Sequence, residues 1–187
     1  MNGDKQLDGL RVAILACSGV EQAELAEPRK ALDAAGAKTT LISVSPGQVQ
    51  AFHHHDKGDQ FDVQATFENA NPADFDAVLL PGGALNADQI RTTEGAKKFV
   101  QAMDRAGKPF AIICHAPWLL VSAGLVKGRH LTSWPSIQDD LRNAGATWSD
   151  EQVVRDRNWV SSRKPADIPA FNQAVIELFA AQHHVAA

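Results

Sequence analysis

The chain has 187 residues, enough for one domain with a full hydrophobic core and cramped for two. Its 44% hydrophobic and 21% charged composition is that of a soluble globular protein. A formal net charge of -4 with no Lys/Arg cluster gives no electrostatic basis for nucleic-acid binding, and no apolar run approaches the ~20 residues of a membrane span. Residues 1–9 are polar and lack a signal-like apolar stretch, so a cytoplasmic location is expected, with residues 1–187 as a single domain.

In chain order, the apolar run at 12–16 predicts a buried strand, and 21–35 a helix closed by Gly36. Residues 38–44 form a second strand. The polar stretch 45–60 follows, with Pro46-Gly47 as a turn signal and 49–52 and 61–63 as the arms of a small hairpin. Asn71-Pro72 opens a turn into a buried strand at 76–80, which ends in Pro81-Gly82-Gly83. A helix over 94–106 stops at Gly107, and Lys108-Pro109 leads into a strand at 110–113 ending in Cys114-His115. Next come a short helix at 117–123, a strand at 130–133, a helix at 137–144, a hairpin over 152–162 turning at Arg157-Asn158, and a final helix over 166–181. Alternation of apolar strands with helices predicts an α/β fold with a mostly parallel sheet covered on both faces. Ligands on such sheets bind beyond the strand carboxyl ends, where Cys17, Gly82-Gly83 and Cys114 fall.

The two cysteines, Cys17 and Cys114, make neither a disulfide framework nor a CxxC pair. A strand that ends in Cys114-His115 and turns straight into a helix has the layout of a nucleophile elbow, and the helix amino end would favour thiolate. The competing reading is a core thiol, since free cysteine is among the most buried residues. Glu21, in Gly19-Val20-Glu21, reaches over the sheet edge; it reads either as a carboxyl that donates a hydrogen bond to the sulfur or as an acid complementing a helix amino end. Gly82 and Gly83 offer free backbone N–H groups, for an oxyanion hole or a plain turn. His115 need not face the thiol that precedes it, and Asp88 reads as its orienting acid or as a helix cap. The run His53-His54-His55 is a solvated hairpin tip or a site rim rather than a metal site, since consecutive histidines converge poorly on one ion. No metal and no cofactor are expected. Cys17 reads as a packed structural residue.

These residues together resemble the ThiJ/PfpI superfamily, in its PfpI-like branch of intracellular proteases and general stress proteins. The likeness runs from Arg11 to Phe179. It is carried by Gly19-Val20-Glu21, Val78-Leu79-Leu80-Pro81-Gly82-Gly83, Ile112-Ile113-Cys114-His115-Ala116-Pro117, Asn143-Ala144-Gly145-Ala146 and Trp159-Val160-Ser161-Ser162. The resemblance implies a flavodoxin-like three-layer sandwich in which Cys114 is the nucleophile, Glu21 the protonated carboxyl on its sulfur and Gly83 an oxyanion donor. It implies that His115 pairs with Asp88 of a neighbouring subunit, so that the protein is a homodimer or a ring of dimers. Ala116 stands where the family often has glycine, which would narrow the elbow. No late His-x-Glu pair is present, unlike in glutamine amidotransferases. The implied activity is a cysteine-dependent stress-response enzyme acting on reactive carbonyl compounds or on amide and peptide bonds. The alternative is a redox sensor whose Cys114 is oxidised without turnover. A shallow sheet-edge site favours small carbonyl compounds over folded polypeptide.

Overall fold

The computed structural model describes residues 5–186, so residues 1–4 of the polar amino end fall outside it. Strand β1 (Arg11–Leu15) is buried in all but its first residue. It is followed by β2 (Val20–Glu21), α1 (Gln22–Ala34), β3 (Lys38–Ser43), β4 (Gln48–His53), β5 (Asp56–Asp62), β6 (Ala65–Thr66) and β7 (Ala77–Leu80). Then come α2 (Ala84–Thr92), α3 (Glu94–Arg105), β8 (Phe110–Ile113), α4 (Pro117–Ser122), β9 (His130–Leu131) and α5 (Gln138–Asn143). The chain closes with β10 (Thr147–Trp148), β11 (Val153–Asp156), β12 (Trp159–Ser162) and α6 (Ile168–Ala186).

Seven strands form the central sheet in the order β11-β12-β8-β7-β1-β3-β6. Every neighbouring pair is parallel except β11 with β12. Strand side chains alternate between faces, so a sheet buried on both sides builds two cores. Val12, Ile14, Leu79 and Ile113 join Leu25 and Leu32 of α1 and Phe171 and Val175 of α6. Ala13, Leu15, Val78, Leu80 and Ile112 join Ile90 of α2, Phe99 and Met103 of α3, Leu119 of α4 and Leu141 of α5. This is the expected α/β sandwich, and it sets the carboxyl ends of β1, β7 and β8 side by side.

Three local departures from the sequence reading matter for the site. Helix α2, not anticipated, starts directly at Gly83, whose φ of 90 suits glycine and turns the strand end into the helix. The 130–133 strand shortens to β9, which pairs with β10 in a separate two-stranded sheet. The small hairpin has longer arms than expected: β4 and β5 pair antiparallel and turn tightly at His54-His55, with His54 at a φ of 57. Strand β4 also pairs with β2, placing Ala51 beside Val20 and Phe52 beside Glu21. That pairing folds the histidine tip over the sheet edge that carries Cys114.

Candidate functional site

Cys114 follows the last residue of β8 at a φ of 64, a conformation that costs a non-glycine residue on the order of 1–3 kcal/mol. The backbone around it is fully tied: Cys114 N–H donates to Ser162 O at 3.0 Å, Ala116 N–H to Ile113 O at 3.1 Å, and Trp134 N–H to Cys114 O at 2.9 Å. The strained residue is thus held by β12, by the turn itself and by the loop after β9. The side chain is only 6% exposed and opens onto a cavity of about 450 Å³. Ala116 does not line that cavity; its methyl packs into the α2–α5 core, so the narrowing inferred from it is not found.

The carboxyl beside the thiol is that of Glu24, where the sequence reading put Glu21. Glu24 is fully buried and interacts with the Cys114 thiol. Its Oε2 accepts from Gly82 N–H at 2.9 Å, while its Oε1 is buried with no hydrogen-bond partner among the described residues. Burial first, and Glu21 nearby, push Glu24 up from 4.5 to about 8, so it is protonated at neutral pH. Glu21 instead forms part of the cavity wall, where its Oε2 accepts from His54 N–H at 3.1 Å and lies 3.9 Å from His54 Nδ1.

Helix phase explains the exchange. Glu24 lies one turn before Pro28 and two turns before Leu32, both buried in α1, whereas Glu21 is the residue capping that helix. Glu24 therefore occupies the apolar stripe, and the 24–28–32 spacing was the signal that could have found it.

Gly82 and Gly83 bring the end of β7 against the elbow. A Cβ on Gly82 would stand 2.6 Å from Cys114 Cβ, so only glycine lets β7 approach the thiol this closely. The backbone N–H groups of Gly83 and His115 hydrogen-bond the sulfur and lower its pKa. They are outweighed: burial first, and the Glu24 carboxyl second, push the Cys114 thiol well up. The expected thiolate favoured by a helix amino end is not found, since α4 begins only at Pro117 and the sulfur is desolvated. Asn86, unnoticed in the sequence, locks the double-glycine turn. Its Nδ2 donates to Pro81 O and Gly82 O at 3.1 and 2.9 Å, and its Oδ1 accepts from Cys17 N–H at 2.7 Å.

His115 does face the thiol, with Nδ1 3.1 Å from Sγ. With the ring proton on Nε2, Nδ1 accepts from the thiol. The ring stacks on Trp134 at 5.9 Å between centroids and meets Trp118 edge-on at 5.4 Å. Burial lowers its pKa, so it is a neutral imidazole at neutral pH. Asp88 is exposed on α2, lies outside the cavity wall, and makes no hydrogen bond to His115 among the described residues. His54 and His55 line the cavity rim and His53 does not. Among the described residues no group of three or more His, Cys, Asp or Glu side chains is arranged to hold a metal ion, and no helix is long and apolar enough to cross a membrane. Cys17 is buried, and burial raises its thiol to about 11.

Fold and site together define an α/β sandwich protein that carries a cysteine on a strained turn at the sheet edge, flanked by a buried acid and an imidazole. The family model for the DJ-1/PfpI family matches residues 10–178, and the chain belongs to that family. It is 40% identical over 169 residues to a deglycase of Pyrococcus horikoshii, covering 90% of this chain and 99% of that one. It is 37% identical over 175 residues to general stress protein 18 of Bacillus subtilis, covering 91% and 98%. Among solved structures it superposes on Drosophila melanogaster DJ-1beta with a TM-score of 0.83 and 26% identity, over 91% of this chain and 90% of that one.

Proposed function

We propose that this protein is a cysteine-dependent enzyme that turns over small reactive carbonyl compounds or their adducts, folded as one ThiJ/PfpI-like domain. The observation that carries the reading is the set of groups on one sulfur: an imidazole nitrogen 3.1 Å from it, two backbone N–H groups donating to it, and a protonated carboxyl against it. All four groups are neutral at rest, as a desolvated site requires. When a carbonyl carbon enters the cavity, Sγ forms the new bond and its proton passes to His115 Nδ1. The carbonyl electron pair moves onto oxygen, beside the N–H groups of Gly83 and His115. The imidazolium then returns the proton to that oxygen or to the leaving group. Names of relatives such as the Pyrococcus deglycase and general stress protein 18 support carbonyl chemistry in a stress setting.

Among the described residues, no carboxylate is hydrogen-bonded to the other ring nitrogen of His115. Asp88, exposed on α2, is free to supply one to the His115 of a second copy, so we include a homodimer in the proposal. The test is turnover of methylglyoxal and its amine adducts by wild type and by Cys114→Ser. Loss of turnover in the variant supports the reading, and equal rates refute it. Oxidation of Cys114 without turnover draws support from the Glu24 proton, which would bond a sulfinate as well as a thiolate. The raised, 6% exposed thiol makes this the weaker reading.

A further inference from the structure

The cavity wall has an unusual charge balance. Among the described residues no lysine or arginine lines it; its ionisable groups are Glu21, Glu24, Cys114 and the three histidines His54, His55 and His115. With Glu24 protonated, the carboxylate of Glu21 is the remaining acidic charge on that wall. Glu21 is built in rather than loose. Its backbone N–H donates to Gly82 O at 3.3 Å, its strand pairs with Phe52 of β4, and its Oε2 receives the His54 N–H. Its side chain is 12% exposed, and its ion-pair contact is the exposed imidazole of His54 at the long distance of 3.9 Å.

The Glu21 carboxylate, fixed in the wall by the His54 N–H, projects a negative field into the space above the sulfur. The same field is felt at Glu24, whose proton Glu21 helps to hold. Around it the walls are aromatic or apolar: Phe52, Trp134 at 37% exposed, and Leu85 at 64% exposed. Aromatic faces attract cations and offer nothing to an anion.

We propose that Glu21 is a charge selector, which admits reactive-carbonyl groups borne on a cationic amine or guanidine and rejects those with a carboxylate or phosphate beside the carbonyl. The assignment rests on the carbonyl-turnover reading above for its substrate class. It goes beyond that reading in naming the residue that sorts substrates, a residue that takes no part in bond making. The hairpin tip has a defined role in it, because the His54 N–H, set by a positive φ, orients the selecting oxygen.

The test needs no turnover. Cys114 is alkylated in the native protein by a cationic reagent (2-bromoethylamine), an anionic one (iodoacetate) and a neutral one (iodoacetamide). In each case sulfur displaces halide and the thiol proton leaves to the base or solvent. The cation-to-anion rate ratio, divided by the same ratio for free N-acetylcysteine, removes the reagents' intrinsic reactivity, and comparison with Glu21→Gln isolates the one charge. The ratio in wild type is expected to exceed that of Glu21→Gln on the order of tenfold at low salt, with the iodoacetamide rate little changed. Glu21→Asp, which keeps the charge, is expected to retain most of the ratio. Ratios equal within about twofold in wild type and Glu21→Gln would overturn the proposal, because a field of this size shifts rates more than that. Should Glu21→Gln fail to fold, the wild-type ratio decides: it is expected to fall towards the free-thiol value at about 0.5 M salt, and a ratio at the free-thiol value at low salt overturns the proposal. Absence of methylglyoxal turnover would remove the enzyme reading while leaving this ratio measurable, so the two failures are distinct.

Discussion

Replacing Glu24 by glutamine keeps the shape of the buried carboxyl and removes its proton equilibrium. In the folded protein this group is raised from 4.5 to about 8, chiefly by burial. Below the unfolded value both states hold the proton and the full stabilisation is present. As pH rises the unfolded chain releases the proton first, so wild-type stability falls by about 1.4 kcal/mol per pH unit until the folded group titrates as well. Between 4.5 and about 8 the loss sums to roughly 5 kcal/mol, a large part of a typical domain's stability. Glu24→Gln lacks this dependence and, with an amide oxygen still able to accept from Gly82 N–H, retains the contact that holds the double-glycine turn. Urea unfolding of both proteins across that pH range, with m held as a check on the unfolded state, measures the difference directly. The stability of wild type relative to the variant is expected to fall steadily with rising pH. A difference that stays constant from acid to mildly alkaline pH would refute the buried, protonated Glu24.

Gly82→Ala should destabilise the fold by about 1–3 kcal/mol and slow Cys114 alkylation, because the new Cβ would lie 2.6 Å from Cys114 Cβ and 2.9 Å from Ile113 O, a backbone atom that cannot step aside. An unchanged Tm and alkylation rate would show that β7 and the elbow leave room for a methyl group. Asp88→Asn alters an exposed residue and should leave Tm within a degree or so, since such surface changes cost less than about 0.5 kcal/mol. It should nonetheless lower kcat at least tenfold if the acid serves a second copy's imidazole, whereas full activity in dimeric protein would remove Asp88 from the site.

The parts of the site that were legible in the sequence are those fixed by strand ends. Apolar runs stopping at Cys17, Gly82 and Cys114 announce parallel strands with their carboxyl ends aligned, and the fold follows from that alternation. What was not legible depended on phase and on polar pairing. Three glutamates, Glu21, Glu24 and Glu27, stand near the start of α1, and only the helix phase decides which of them enters the core. The strand β5 carries Asp56, Lys57, Asp59 and Gln60, with no alternating apolar face, and it is a strand because it pairs with β4. The histidine tip reaches the cavity only through the β2–β4 pairing, which joins segments far apart in sequence. Helix α2 was hidden by the glycines and Asn86 that precede and open it, residues that ordinarily punctuate turns. The state of the thiol is not legible in the sequence for a different reason: burial outweighs the N–H groups that favour the charged sulfur.

The proposed passage of turnover through the sulfur of Cys114 can be tested without any substitution. Partial alkylation with iodoacetamide, quantified for each cysteine by peptide mass spectrometry, is followed by assay of methylglyoxal turnover on the same samples. Cys17, fully buried and with its thiol raised to about 11, should stay unmodified in the native protein. Residual activity is expected to equal the fraction of Cys114 left free, and substrate present during alkylation is expected to protect both together. Protein alkylated to completion at Cys114 that still turns over substrate at the wild-type rate would rule out a reaction through that sulfur.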